Sequence, residues 1–182
     1  MTSPYARRQL FPESQVWANF QSLKRPVTFM VELTPRCTLN CRHCYVNRPA
    51  GDAVAMAHEM PRIMIADLAK QAADMGALWC TMTGGDPLLH PDFMDIYLDI
   101  KRLGLLTNLF TNATLITAEH AQLWKAYPPR DIEVTVYGAT EVSYERVTRR
   151  PRIIRRLPPR AGYPGRVRGT GAPEGYGPAQ QL

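Results

Sequence analysis

Apolar residues along the chain form two kinds of pattern: short continuous runs, and longer stretches in which they recur every three or four positions. Four runs have the length and residue types of buried strands: 27–33, 77–83, 105–110 and 131–137. Helical spacing is found at 13–23, 61–76, 91–104, 117–126 and from 141 onward. We therefore predict four strand–helix units of about 30 residues each, an order that forms a parallel sheet with right-handed crossovers.

The helical stripes predict which side chains face the core. In the helix at 61–76 we expect burial of Ile65, Leu68, Ala72 and Met75. In the helix at 91–104 we expect burial of Phe93, Ile96, Ile100 and Leu103. Other sulfur-containing side chains are also interpreted as core residues: Met56, Met60, Met64 and Cys80.

Residues suited to ligand binding collect immediately after the predicted strands. In chain order they are the cysteines of 37–44, Gly84-Gly85-Asp86-Pro87, Thr111-Asn112 and Tyr137-Gly138. Ligands of open parallel sheets bind at the carboxyl ends of the strands. The sequence therefore predicts one site at this edge of the sheet.

Cys37, Cys41 and Cys44 stand in one short loop with gaps of three and then two residues. A cubane iron–sulfur cluster takes one thiolate per iron, so three thiolates leave one iron open to a ligand that is not protein. A structural zinc site is closed by four ligands, and the fourth would come from Cys80, His43, His58 or His90. Thiols that bind no metal are the third interpretation, and the spacing alone leaves all three open.

The net charge of +6 is concentrated at one end of the chain. Residues 152–182 hold six Arg and one Glu, so they carry +5 and the other 151 residues only +1. We therefore expect no nucleic-acid partner. No apolar run has the length of a membrane span and no export signal is evident, so we expect no membrane partner, a cytoplasmic location and reduced thiols.

The composition predicts three segments: an arm with a short helix at 1–26, a folded domain at 27–151, and a tail at 152–182. The tail contains six Arg, five Pro and six Gly, a composition that predicts disorder. We hypothesise that the reading frame slips near Pro151, and the alternative is a natural basic, flexible tail. Under either hypothesis, we expect the strand at 131–137 to be a bare edge of the sheet, with its outer backbone groups unpaired.

The Cys-x3-Cys-x2-Cys loop after the first strand resembles that of the radical S-adenosylmethionine (SAM) superfamily. Thr83-Gly84-Gly85-Asp86-Pro87 is similar to the Gly-Gly-Glu-Pro motif of this family, with Asp86 in place of Glu. The resemblance implies a [4Fe–4S] cluster on the three cysteines, SAM on the open iron, and carbonyls of the glycine pair that accept hydrogen bonds from the SAM amino group. Read without the family, the second motif is an ordinary strand-to-helix turn.

The same resemblance implies three further cofactor-binding residues. His43 lies where the family often has an aromatic residue, Asn112 belongs to a segment like the family's Thr-Asn-Gly-Thr-Leu, and Thr135 is a possible SAM contact. His43 as a solvent-facing loop residue and Thr135 as a mere strand former are the alternatives. His90 is interpreted as structural, and no side chain is assigned a catalytic role.

Residues 133–148 are similar to a narrower group that includes peptide-maturing enzymes with a cysteine-rich C-terminal extension (SPASM) and cofactor-biosynthesis enzymes. The resemblance implies an α/β fold, a partial (β/α) barrel with four of about six units present, truncated before any auxiliary cluster. The implied activity is reductive cleavage of SAM to a 5′-deoxyadenosyl radical, which abstracts hydrogen from a peptide or cofactor precursor. An external electron donor is the expected partner. The rival functions are an inactive cluster-binding fragment of a frameshifted gene and a zinc-binding module.

Overall fold

The computed structural model describes residues 24–46, 48–138 and 140–157, together with the backbone of a strand at 166–170. One parallel sheet contains five strands, which lie side by side in this order: β1 Thr28–Thr34, β4 Trp79–Gly84, β5 Leu106–Thr111, β6 Asp131–Thr135 and β7 Arg166–Thr170. Two short strands, β2 Arg36–Cys37 and β3 Arg48–Pro49, pair with each other. The predicted α/β fold with a parallel sheet is confirmed.

Helices follow the main strands. They are α1 Ala53–Ala57, α2 Arg62–Asp74, α3 Phe93–Arg102, α4 Ala118–Ala126 and α5 Glu141–Thr148, with 3-10 turns at Pro87–Leu89 and Ile153–Arg156. Thr117 and Thr140 cap α4 and α5 as the sequence predicts, each accepting a hydrogen bond from the backbone N–H three residues on. Within the described residues no helix is long and apolar enough to cross a membrane.

The core lies between the sheet and its helices. Its fully buried side chains include Leu33, Met82, Leu109 and Ile132 from successive strands and Trp124 from α4. Cys80 belongs to this core, as predicted, and burial raises the pKa of its thiol to about 12. The predicted stripe of α3 also faces the core, with Tyr97 as an additional buried member.

The buried stripe of α2 differs from the prediction. Ile65, Ala69 and Ala72 are buried, whereas Leu68 is 44% exposed and Met75 is 53% exposed. The real stripe follows the spacing i, i+4, i+7 through small alanines, whereas the prediction favoured the larger side chains. The core interpretation is wrong for Met56 and Met64 too, which are exposed, while Met60 packs partly buried against the core.

The segment after Pro151 contributes to the fold in two places. Ile153 is 5% exposed and packs against the cysteine loop, and β7 pairs in parallel with β6. The expectation that β6 is a bare edge is therefore wrong, because its backbone groups find partners in β7. The high arginine content of the tail predicts a polar segment and gives no sign that the apolar pair Ile153 and Ile154 packs against the cysteine loop. The rest of the predicted disordered tail, and the predicted helix at 13–23, lie outside the described residues.

Candidate iron–sulfur and SAM site

The cysteine loop begins where β2 ends and lies against the C-terminal end of α5. The backbone N–H of Asn40 donates to the carbonyl of Thr148, and that of Arg42 donates to the carbonyl of Val147, each at 3.0 Å. The last carbonyls of a helix have no partner inside the helix, so they are available to a neighbouring loop. Helix α5 therefore fixes the path of the loop between its first and third cysteines.

A small hydrophobic cluster, separate from the sheet core, lies under the loop. Leu39, Cys37 and Cys41 are buried in it together with Tyr144 of α5 and Ile153. Loops rarely bury apolar side chains unless another element covers them. Here α5 and the 3-10 turn that follows it form that cover, so the segment 141–157 is part of the site.

The two buried thiols of the loop, Cys37 and Cys41, have raised pKa values when no metal is bound. Burial raises the pKa of Cys37 to about 11, against the lowering effect of hydrogen bonds from Leu39 and Asn112. Burial also raises the pKa of Cys41, and a hydrogen bond from the hydroxyl of Tyr137 opposes that shift. Because a metal binds the thiolate, loading this site must displace protons and becomes easier as the pH rises.

Hydrogen-bond donors already face two of the three cysteine sulfurs, those of Cys37 and Cys41. The N–H of Leu39 and the side-chain amide of Asn112 both lie 3.4 Å from Sγ of Cys37, and the Tyr137 hydroxyl bonds Sγ of Cys41. Such donors stabilise the negative sulfur of a metal-bound thiolate. The three thiols and their donors therefore fit an iron–sulfur cluster.

A single metal ion needs ligands that converge on one point. Across residues 24–46, 48–138 and 140–157, no three His, Cys, Asp or Glu side chains are grouped closely enough to hold one ion. A cubane cluster has no such requirement, because each thiolate binds a different iron.

The glycine motif lies directly against the chain that enters the cysteine loop. The N–H of Gly85 donates to the Thr34 carbonyl at 2.7 Å, and that of Asp86 donates to the Arg36 carbonyl at 2.8 Å. A Cβ at Gly84, where φ is +137°, would lie 2.2 Å from the Thr34 oxygen, and one at Gly85 would lie 2.3 Å from the Arg36 oxygen. Close approach of two backbones therefore requires both glycines, whatever they do for a ligand.

Asp86 is fully buried and joins the ends of two strands. Its carboxylate accepts hydrogen bonds from the Leu88 N–H at 3.0 Å, the Thr111 hydroxyl at 2.9 Å and the Asn112 N–H at 3.1 Å. Burial raises the pKa of this carboxyl to about 6, since the three hydrogen bonds offset only part of the desolvation. These three donors all belong to the protein, and the role of Asp86 in SAM binding stays a prediction.

Asn112 connects the end of β5 to the cysteine loop. Its amide nitrogen donates to Sγ of Cys37 and, at 3.1 Å, to the hydroxyl of Thr38. Its amide oxygen accepts from the backbone N–H of Thr114 at 3.0 Å and from the hydroxyl of the same residue at 2.6 Å. The structure thus brings together Asn112, the glycine motif and the cysteines, as the strand ends predict.

The other two predicted residues are placed more loosely. His43 is exposed, and its ring lies 5.1 Å from that of Tyr137, which also packs on Tyr144 at 5.9 Å between ring centroids. Thr135 is half-buried at the end of β6, opposite Thr170 of β7. Both sit at the carboxyl edge of the sheet, and their contact with SAM stays a prediction.

A buried ion pair at the base of the loop escaped the sequence analysis. Nε of Arg36 lies 2.6 Å from Oε1 of Glu59, and the side chains are 4% and 5% exposed. The guanidinium also donates to the carbonyls of Ala50 and Leu89, both at 2.9 Å, and the Thr34 hydroxyl donates to Glu59. Burial opposes ionisation of Glu59, but the hydrogen bonds from Arg36 and Thr34 outweigh it and lower its pKa. No local pattern marks a pair so far apart in the sequence.

Three of the four residues considered as a fourth zinc ligand are engaged elsewhere in the fold. Cys80 lies in the sheet core. The His90 ring is bonded through both nitrogens, to the Met60 carbonyl at 3.2 Å and the Asp92 N–H at 3.1 Å, which confirms its structural interpretation. Nδ1 of His58 bonds the Val54 carbonyl at 2.8 Å.

Two curated relatives with significant similarity are PqqA peptide cyclases. That of Gluconobacter oxydans is 28% identical over 122 residues, which is 67% of this chain and 33% of the relative. That of Streptomyces rochei is 34% identical over 96 residues, which is 53% of this chain and 26% of the relative. The chain therefore spans about a third or less of the length of these relatives.

Solved structures with the same fold include two of SuiB from Streptococcus suis. SuiB bound to S-adenosylmethionine has a TM-score of 0.58 at 17% identity, over 74% of this chain and 30% of SuiB. SuiB bound to its precursor peptide SuiA has a TM-score of 0.59 at 16% identity, with the same coverage. Residues 31–157 match the radical SAM superfamily, whose enzymes use a [4Fe–4S] cluster and SAM. Because that match covers most of the chain, this protein belongs to the radical SAM superfamily.

Proposed function

We propose that Cys37, Cys41 and Cys44 hold a [4Fe–4S] cluster whose open iron binds SAM, for hydrogen abstraction from a peptide. The observation that carries this proposal is the arrangement of sulfur-directed donors around free thiols on one loop, which directly follows the segment whose Thr34 and Arg36 carbonyls accept hydrogen bonds from Gly85 and Asp86. When bound, the cluster and SAM supply a carbon radical that removes a hydrogen atom from the substrate.

The protein's own groups bind, orient and shield the cofactors in this proposal. The cysteine thiolates bind three irons, and the carbonyls of Gly84 and Gly85 accept hydrogen bonds from the SAM amino group. Asp86, through its three protein donors, holds the glycine turn against the end of β5. Buried Leu39 and Tyr144 keep water from the side of the loop that faces α5. His43, Asn112 and Thr135 are the proposed additional cofactor-binding residues at the same edge.

A peptide is the proposed substrate class, and a cofactor precursor is the alternative. Support comes from the matched relatives, which are PqqA peptide cyclases, and from the fold shared with SuiB, which was crystallised with its precursor peptide. An external one-electron donor is the proposed partner, since the cluster must be reduced before SAM is cleaved.

The experiment is anaerobic reconstitution with iron and sulfide, followed by incubation with SAM and dithionite. We expect about four irons per chain, a brown protein, an EPR signal on reduction, and 5′-deoxyadenosine as product. Cys41→Ala should abolish cluster loading. Cys80→Ala is the matched control, because it removes a buried cysteine of the sheet core and leaves the loop intact.

Three outcomes separate the competing functions. A colourless protein with one zinc ion on the loop contradicts the proposal and supports a zinc-binding module. A loaded cluster that binds SAM without forming 5′-deoxyadenosine supports a cluster-binding protein without turnover. Formation of 5′-deoxyadenosine by wild type and Cys80→Ala, but not by Cys41→Ala, supports the enzyme.

A further inference from the structure

Asn112 has an amide whose orientation is fixed by the protein. Its oxygen accepts two hydrogen bonds from Thr114, so its nitrogen must face Cys37 and Thr38. Its backbone N–H is held in turn by the buried carboxylate of Asp86. The side chain is only 6% exposed, and a buried amide with every polar group engaged has little freedom to turn toward another ligand.

We infer that Asn112 is a positioning residue for the cluster, and that its N–H, donated to the Cys37 sulfur, raises the reduction potential of the cluster. The inference rests on the proposed function, because it requires a cluster on that cysteine. Asn112 then has a more specific role than a general cofactor contact, because it sets how readily the iron–sulfur centre accepts its electron.

The physical argument concerns charge. Reduction of the cluster adds one electron, taken from an external donor such as dithionite, and no atom is transferred. The added negative charge is shared with the cysteine sulfurs, so a donor aimed at a sulfur stabilises the reduced state more than the oxidised one. Cys37 is buried, and a hydrogen bond to a charged group contributes more in such surroundings than in water.

The effect should be partial, because Leu39 donates to the same sulfur from the backbone. Loss of the Asn112 donor should reduce the equilibrium constant for reduction about tenfold. For a one-electron couple, that corresponds to a midpoint potential lower by about 59 mV. A residue that contacted SAM alone would leave the potential measured without SAM unchanged and would weaken SAM binding instead.

The test is an EPR-monitored redox titration of the reconstituted protein in the absence of SAM. Asn112→Ala removes the whole amide. Asn112→Asp keeps the size of the side chain and the acceptor that faces Thr114, and it removes the N–H aimed at Cys37. We expect a lower potential in both variants, with the larger shift in Asn112→Asp because it adds a negative charge. If Asn112→Ala does not fold, an unchanged potential in Asn112→Asp would still contradict the inference.

Thr107→Val is the matched control. It removes a fully buried hydroxyl from β5, the strand that precedes Asn112, and that hydroxyl donates to the Tyr97 hydroxyl in the sheet core and not to the site. Its potential should equal that of wild type. Unchanged potentials in Asn112 variants that carry a full cluster would contradict this inference alone. A wild-type protein that loads no cluster would contradict the proposed function, and the inference with it.

Discussion

The core under the sheet consists of aliphatic and aromatic side chains that recur with the period of strands and helices. The cysteine loop packs on a small hydrophobic cluster and is also held by backbone hydrogen bonds and by polar side chains, such as Arg36, Glu59, Asp86 and Asn112. The first kind of contact is non-directional and tolerates substitution by similar volumes, whereas the second requires particular atoms at particular distances. Substitutions in the core should therefore change stability, and those at the loop should also change cofactor binding.

The largest effect should come from breaking the buried ion pair. Glu59→Ala leaves the guanidinium of Arg36 buried without its carboxylate, which should cost about 3–5 kcal/mol in the free energy of unfolding. Urea denaturation of the metal-free protein measures this loss. The double variant Arg36→Met with Glu59→Leu should lose less than Glu59→Ala, because no unpaired charge stays buried. Equal losses of unfolding free energy in the single and double variants would show that the unpaired charge of Arg36 is not the cause of the destabilisation.

A comparable truncation in the sheet core should affect stability alone. Leu109→Ala in β5 creates a cavity at a fully buried position and should cost about 3 kcal/mol. The amount of iron bound per folded chain should not change, as reconstitution followed by iron analysis would show. A selective loss of iron in Leu109→Ala, at a temperature where the variant is folded, would contradict the proposed separation between core and loop.

The buried carboxyl of Asp86 predicts a dependence of stability on pH. Its pKa is raised to about 6 in the folded protein, so the folded state binds this proton more tightly than the unfolded state does. The stabilising contribution is fully present below about pH 4, the ordinary pKa of Asp, and is lost as the pH rises through about 6. Its total is at most about 3 kcal/mol.

Asp86→Asn tests this dependence, because it removes the titrating group. The difference in unfolding free energy between wild type and Asp86→Asn should change in favour of the variant between pH 4 and pH 6.5. Chemical denaturation at several pH values measures the difference. A constant difference over this range would show that Asp86 titrates normally in the folded protein.

The smallest effects on stability should come from the helix caps. The same two caps also allow a matched comparison between the sheet core and the cysteine loop. Thr117→Ala and Thr140→Ala each remove an N-cap and should each cost about 1 kcal/mol. Only α5, capped by Thr140, holds the cysteine loop through its last carbonyls. Thr140→Ala should therefore lose iron to a chelator faster than Thr117→Ala, although both are destabilised equally. Equal rates of loss would show that α5 does not brace the loop.

Much of this architecture is predictable because apolar periodicity is a local signal. The runs at 77–83 and 131–137 predict β4 and β6, and Thr117 and Thr140 predict the starts of two helices. The convergence of Cys37, Gly85 and Asn112 is also predictable, since parallel strands place their carboxyl ends along one edge.

The rest depends on contacts that leave no local pattern. The Arg36–Glu59 pair joins segments 23 residues apart, and neither residue belongs to a periodic stripe. The alanine-lined face of α2 was missed because small side chains that permit close packing look less apolar than Leu68 or Met75. Burial of Ile153 was missed because composition averages over a segment, and two apolar residues among arginines suffice to cover a loop.

The meeting of two backbones at Gly84 and Gly85 limits how this site can be re-engineered. A graft of the cysteine loop into another scaffold would fail if the host strand beside it carried side chains at those two positions, since a single methyl group would occupy the same space as the carbonyls of Thr34 and Arg36. A transferable unit must therefore include both neighbouring segments, the cysteine loop with its entry strand and the glycine turn.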